Sequence, residues 1–181
     1  MGALDDIVCS PDPRLHQVCE PIDQITGSVK QLAKRMLKCM YAADGVGLAA
    51  CQIGEMVRLA VVDVDWGAGE KNPYVLINPT IIEANGEEIT SEEGCLSFPG
   101  IRVPVSRPSH VIVQALNLDG DLMQYEAADN LLAVCLQHEI DHLNGITMIE
   151  HLSPAERVAA MRRYAAALEA GARPGDTTII E

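Results

Sequence analysis

Long apolar runs are missing from this chain. No segment approaches the ~20 residues that span a bilayer as a helix, so no membrane anchor is expected. Positive charge is scarce: 13 Lys and Arg stand against 26 Asp and Glu, a formal net charge of −13. That balance argues against binding nucleic acid or an anionic membrane through bulk charge, because both are polyanions. The opening residues, Met1 to Asp6, lack a basic segment followed by an apolar one, so no secretory signal is expected. A myristoylation pattern at Gly2 fails, because Asp6 stands where Ser or Thr is required. The six cysteines, Cys9, Cys19, Cys39, Cys51, Cys95 and Cys135, lack the spacing of a secreted disulfide framework. Reduced thiols and a cytoplasmic location follow as expectations. Internal repeats and low-complexity linkers are absent as well.

What is there is a chain of 181 residues, 48% hydrophobic, enough for one domain with a real core. Ser28 to Asp44 reads as an amphipathic helix with Val29, Leu32, Ala33, Met36, Leu37 and Met40 on its apolar side. Lys30, Lys34, Arg35 and Lys38 lie outside that stripe. Short β-rich runs follow at Arg58–Val64, Tyr74–Asn78, Thr80–Glu83 and Glu87–Ser91, with Asn85-Gly86 as a turn between the last two. Arg102–Val105 and His110–Leu116 continue the pattern, and Asp119-Gly120 predicts a hairpin into Leu122–Tyr125. A last helix opens with Ser153-Pro154-Ala155-Glu156, a capping box with proline at the first helical position. Val158, Met161, Tyr164, Ala165 and Leu168 form its apolar stripe. The order predicts an α+β fold, with antiparallel β-sheets around a buried central helix and a C-terminal helix. Residues 1–170 read as one domain and 171–181 as a flexible tail.

The central helix carries the most telling run, Gln137-His138-Glu139-Ile140-Asp141-His142. Helical positions i and i+4 share a face, so His138 and His142 can reach one metal ion. Glu139 falls on an adjacent face, placed to handle a proton. From Asn130 to Asn144, Leu131, Val134, Cys135, His138 and His142 form one stripe, with Leu132, Leu136, Glu139 and Leu143 beside it. Asn130, Gln137, Asp141 and Asn144 form a narrow polar strip, so the helix is expected to be buried. Asn144-Gly145 is its stop.

Two histidines do not complete a catalytic site, which ordinarily takes three protein ligands and water. Glu156 and Glu169 stand downstream but outside the apolar stripe of the last helix. A downstream histidine in H-x-x-G-x-x-H spacing fails, since Met148 occupies that position. Upstream, Cys95 lies in Glu93-Gly94-Cys95-Leu96-Ser97, where glycine permits close backbone approach. A thiolate there is a candidate third ligand. Taken alone, such a cysteine is more often a small core residue, and a thiol nucleophile with a histidine base is the other reading. A closed structural metal site and a zinc endopeptidase are the competing readings of the set.

Three motifs now stand in order: Gly45-Val46-Gly47-Leu48-Ala49-Ala50-Cys51-Gln52, Glu93-Gly94-Cys95-Leu96-Ser97, and Gln137-His138-Glu139-Ile140-Asp141-His142-Leu143. With these the chain resembles the bacterial-type peptide deformylases, over most of its length from the first helix through Ser153-Pro154. Cys51 is a departure, since relatives often carry proline or threonine before the glutamine. The resemblance implies a metal-dependent hydrolase that removes the N-formyl group from formyl-methionine of nascent polypeptides and releases formate. It implies Cys95, His138 and His142 as ligands of one divalent ion, Fe2+ in the cell, with Zn2+, Ni2+ or Co2+ accommodated by the same donors. Metal-bound hydroxide would attack the formyl carbon, with Glu139 as general base and then acid. Gln52 and the backbone N–H of Leu96 would stabilise the oxyanion. Gly45, Val46 and Gly47 would line the extended peptide, and Leu131, Val134, Cys135 and Val46 its methionine pocket. Arg102 would sit at the pocket mouth, paired with Glu93. The family further implies a monomer that contacts the ribosome transiently. Against a ribosome contact through the last helix, Arg157, Arg162 and Arg163 spread around its axis rather than along one stripe. No sequence-specific nucleic-acid contact is expected.

Overall fold

A computed structural model describes residues 2–176. Three α-helices pack on one five-stranded antiparallel sheet: α1 (Gly27–Ala42), α2 (Leu131–Leu143) and α3 (Pro154–Glu169). The strands β1 (Gly47–Ala49), β2 (Leu59–Val62), β3 (Tyr74–Gly94), β4 (Arg102–Leu116) and β5 (Leu122–Ala128) lie side by side in sequence order. This is the expected α+β architecture. Among the described residues, no helix is long and apolar enough to cross a membrane.

The four residues of β2 explain the layering. All of Leu59-Ala60-Val61-Val62 are buried, and successive side chains point to opposite faces of a sheet. Leu59 and Val61 join Met36, Cys39 and Met40 of α1, while Ala60 and Val62 join Leu136, Ile140 and Leu143 of α2. The sheet is therefore sandwiched at this end, and α2 is the buried central helix. Nine of its residues are buried, His138, Glu139 and His142 among them. Asn130 caps it by accepting from Ala133 N at 3.0 Å. Gly145, at φ 75°, follows its end, with Ile146 N bonded to Asp141 O. Gln137, expected on the polar strip, is buried instead. Its amide donates to Pro108 O and Ala133 O, which satisfies it inside.

The strand pattern was expected to break where it does not. Tyr74–Gly94 is one strand, and Arg102–Leu116 is another. Asn85-Gly86 makes no reversal: Gly86 takes φ 83° and the β3–β4 register shifts between Asn85 and Glu88. A bulge absorbs the left-handed glycine because β4 offers a continuous partner on both sides of it. The Asp119-Gly120 hairpin forms as expected, closing on the Leu116–Leu122 pair.

Helix α3 begins with the expected box, where Glu156 Oε2 accepts from Ser153 N and Oγ. Its inward face differs from the expected stripe: Ala160, Tyr164 and Ala167 are buried, whereas Val158 and Leu168 are exposed. Small residues win because the β3–β4 loop comes close. A Cβ on Gly100 would lie 2.7 Å from Ala167 Cβ. Phe98, Ile101, Val103 and Tyr164 fill this third core. From Gly171 to Asp176 the chain forms no helix or strand, but it is hydrogen-bonded to the body. The remaining tail residues, 177–181, lie outside the described residues.

Candidate active site

Cys95 sits just after β3, in the loop that joins β3 to β4, and this hairpin end reaches the buried face of α2. Its Sγ lies 3.2 Å from His142 Nε2. The ring centroids of His138 and His142, one helical turn apart, are separated by 4.9 Å. One donor atom each from Cys95, His138 and His142 lies within 4.8 Å of the others. A thiolate and two imidazoles converging at this range suit a divalent transition metal.

Second contacts fix the donors. His138 Nδ1 donates to Glu93 Oε2 at 2.9 Å. Burial lowers the His138 pKa, but the bonds to Cys95 and Glu93 outweigh it and hold the ring well above the ordinary imidazole value, so a metal on Nε2 would displace a proton there. Glu93 in turn accepts twice from Arg107, Nε at 2.6 Å and a terminal nitrogen at 3.0 Å. Arg107 also donates to Asp141 Oδ2 at 2.8 Å, and His151 Nε2 donates to the same oxygen at 2.8 Å. Burial would raise the Glu93 pKa, but hydrogen bonds from His138 and Arg107 outweigh it and hold Glu93 below the usual range. His142 is pushed well down by burial and by His138, which favours the neutral imidazole a metal needs.

Glu139 is 3% exposed, and burial pushes its carboxyl up to about 7. Its Oε2 has no hydrogen-bond partner, and neither does His142 Nδ1. An orphaned buried carboxylate oxygen is costly unless water or a ligand completes it. Strand β1 passes so near that a Cβ on Gly47 would sit 2.9 Å from Glu139 Cδ and 2.7 Å from Cys135 Sγ. Only glycine fits there. A Cβ on Gly45 would likewise come 2.8 Å from Leu96 Cδ1.

The cleft above these groups has a volume of about 610 Å³. Gly45, Val46, Gly47, Gln52, Glu93, Cys95, Leu96, His138 and Glu139 line it, as do Leu131, Val134 and Cys135. The Gln52 amide is 1% exposed. Its Oε1 accepts from Ala49 N at 2.8 Å, and its Nε2 donates to Ser97 Oγ at 3.1 Å and lies 3.5 Å from Cys95 Sγ. Cys135 Sγ donates to Val46 O, tying α2 to the β1 lip. Burial pushes that thiol far up, so it stays neutral. Leu131 is 52% exposed and forms the outer rim rather than the wall.

Arg102 lines the mouth but does not pair with Glu93. The β3–β4 register sets Arg102 opposite Gly94 and Val103 opposite Glu93. Alternation then puts Arg102 on the other face and aligns Val103, Val105 and Arg107 with Glu93. Arg107, Asp141, His151 and Ser97 were the groups that sequence reasoning missed. An inward charge two residues beyond Val103 and Val105 was the available signal. Ser106-Arg107-Pro108-Ser109 reads as a break between strands, so Arg107 fell in a gap that the fold does not contain.

The family model described as polypeptide deformylase matches residues 4–158. A peptide deformylase of Rhodopseudomonas palustris is 42% identical over 171 residues, covering 93% of this chain and 97% of that one. One from Hydrogenovibrio crunogenus is 46% identical over 159 residues, covering 88% and 92%. Among solved structures, the peptide deformylase of Legionella pneumophila superposes with a TM-score of 0.84 at 41% identity, covering 91% of this chain and 96% of that chain. The Synechococcus elongatus enzyme, in complex with actinonin, gives 0.84 at 36% identity, covering 91% and 89%. With its three motifs converging on one cleft and matches of this extent, the chain belongs to the polypeptide deformylase family of hydrolases.

Proposed function

We propose that this chain removes the formyl group from the formyl-methionyl end of new polypeptides and releases formate. One observation carries the reading: a buried carboxylate with an unpartnered oxygen, Glu139, stands beside three converging metal donors on the floor of an apolar cleft. Cys95, His138 and His142 would hold a divalent ion, Fe2+ in the cell; Zn2+, Ni2+ and Co2+ fit the same donors. Such an ion acidifies water and polarises a carbonyl oxygen. The protein does the rest. Glu139, with its pKa near neutrality, takes a proton from the attacking water and returns it to the departing amine. Gln52 Nε2 and the Leu96 N–H donate to the formyl oxygen as negative charge develops there, a contribution of roughly 3–4 kcal/mol per preorganised donor. The peptide runs extended between the Gly45–Gly47 lip and the Glu93-Gly94 edge. Its methionine side chain lies against Val46, Val134 and Cys135, with Leu131 at the rim. The enzyme acts in the cytoplasm as a monomer, on chains emerging from the ribosome.

Anaerobic purification with metal analysis, followed by formate release from formyl-Met-Ala-Ser, tests this. One metal per chain and rapid release are expected. Glu139→Gln should keep the metal and lower kcat by ~10²–10⁴. Metal-loaded enzyme that releases no formate, or a Glu139→Gln variant with most of its activity, would overturn the reading.

A further inference from the structure

The loop that follows β2 reaches back to the Gly45–Gly47 lip. Asp63 organises it with a carboxylate that is fully buried and, among the described residues, makes no ion pair. Its Oδ1 accepts from Asp65 N at 3.2 Å and from Trp66 N at 3.1 Å. Its Oδ2 accepts from Asn72 N at 3.0 Å and from the Tyr41 hydroxyl at 2.6 Å. Four donors satisfy the carboxylate inside, so the loop is wound around it. The backbone of the same residue holds the lip, since Asp63 N donates to Val46 O at 2.8 Å.

Trp66 is the loop's second hold on the lip. Its Nε1 donates to Gly45 O at 2.8 Å, and its ring meets Tyr41 edge-on with centroids 5.4 Å apart. The indole stands behind the lip: Gly45 and Val46 line the cleft, and Trp66 does not. This bond sets the direction of one peptide plane. The Gly45–Val46 bond is trans, so its C=O and N–H point opposite ways. With the carbonyl turned to Trp66, the Val46 N–H turns toward the cleft. Among the described residues that N–H has no acceptor, because Asp63 bonds the Val46 carbonyl without returning the bond. Glycine is the residue whose backbone rotates most freely, and Gly45 has no side chain to hold the plane. An outside donor is what sets it.

We propose that Trp66 is a positioning residue for substrate binding: its indole N–H pins the Gly45–Val46 peptide so that the Val46 N–H is aimed at a carbonyl of the incoming peptide. The proposal rests on the formyl-peptide reading above. A donor that is already aimed needs no ordering when the peptide arrives. Without the pin the plane samples other orientations, and ordering it again subtracts from binding. The bond to the peptide is the same in the ground state and in the transition state, so its loss raises KM and spares kcat.

Trp66 is the only tryptophan of the chain, so biosynthetic replacement changes one side chain. The metal-loaded enzyme is made with benzothienylalanine there, an isostere carrying sulfur in place of the N–H, and in parallel as Trp66→Phe. For formyl-Met-Ala-Ser, KM should rise ~3–10-fold, the worth of one hydrogen bond, with kcat within ~2-fold of native. A ring-fluorinated tryptophan keeps the donor and should restore the native KM. Lys71→Met removes the ammonium 4.3 Å from the Tyr41 ring centroid but leaves the indole bond, so it should lower stability at most and leave KM unchanged. Hydrogen exchange reads the same device without turnover. In metal-loaded Glu139→Gln, saturating formyl-Met-Ala-Ser should slow exchange of the Val46 amide at least ~10-fold, and adding Trp66→Phe should remove most of that protection. A KM unmoved in both replacements, a fall in kcat with KM unmoved, or a Val46 amide that the peptide does not protect would overturn the proposal. Absence of formate from every form, with the Val46 protection present and dependent on the indole, would instead refute the reaction and leave the positioning role standing.

Discussion

Replacing Arg107 with methionine perturbs the site at its most heavily invested contact. The guanidinium makes three charge-assisted hydrogen bonds, two to Glu93 and one to Asp141, and its side chain is 5% exposed. Methionine is of similar length but leaves the Glu93 carboxylate, 3% exposed, with only His138 as partner. Removing one member of a buried pair costs about 3–5 kcal/mol, because the remaining charge is uncompensated. For a chain of this size that corresponds to a fall in Tm of roughly 6–20 °C. Adding Glu93→Gln should restore part of the loss, since no bare carboxylate then remains buried. Arg107→Lys should fall between, because an ammonium cannot reproduce the fork. The assay is urea and thermal unfolding of the metal-free single and double variants, which separates stability from metal binding. Metal affinity, measured by competition with a chelator, should drop by ~10–100-fold in Arg107→Met as Glu93 loses its hold on His138. A loss below ~1 kcal/mol, or a double variant as unstable as the sum of the singles, would refute the account of Arg107 as the group that keeps Glu93 ionised and in place.

Other expectations follow from the same geometry. Gly47→Ala should cut activity severely and leave the metal ligands untouched, because its Cβ would meet Glu139 and Cys135; kcat with metal content measured in parallel checks this. The raised Glu139 pKa makes the stability of the metal-free protein pH-dependent. The folded carboxyl keeps its proton up to about 7 against an ordinary 4.5, so this group's contribution is full below 4.5 and is lost as pH rises through 7. Relative to Glu139→Gln, native stability should therefore decline by about 3 kcal/mol between those pH values and stay level above them. Unfolding of both proteins across pH 4–9 measures it, and a constant difference would count against burial as the cause.

Locally encoded features were legible in the chain. The apolar period of α2 and the Asn144-Gly145 stop need only neighbouring residues, as does the Ser153–Glu156 box. So does the i, i+4 placement of His138 and His142, which follows from helix geometry alone. The Asp119-Gly120 hairpin is likewise local. The three motifs could be read as one site only because the chain resembles a family. Nothing in the spacing between Cys95 and His142 states that their donor atoms stand 3.2 Å apart.

Tertiary structure decided what depends on register and on close approach. Whether Glu93 meets Arg102 or Arg107 is a matter of which strand face each occupies, and that is set by pairing along the whole of β3 and β4. Asn85-Gly86 became a bulge and not a turn because a partner strand ran past it. The inward face of α3 shifted to Ala160, Tyr164 and Ala167 because Gly100 lets the loop come within contact of small side chains. Residues 173–176, featureless as a string of Arg, Pro, Gly and Asp, close into a turn, and Gly175 and Asp176 line the cleft because Gly100 N, far away in sequence, bonds to Asp176 O. Helix caps and periodicity are short-range and can be read from adjacent letters, whereas the partner of a buried charge and the wall of a cleft are fixed by residues that only folding brings together.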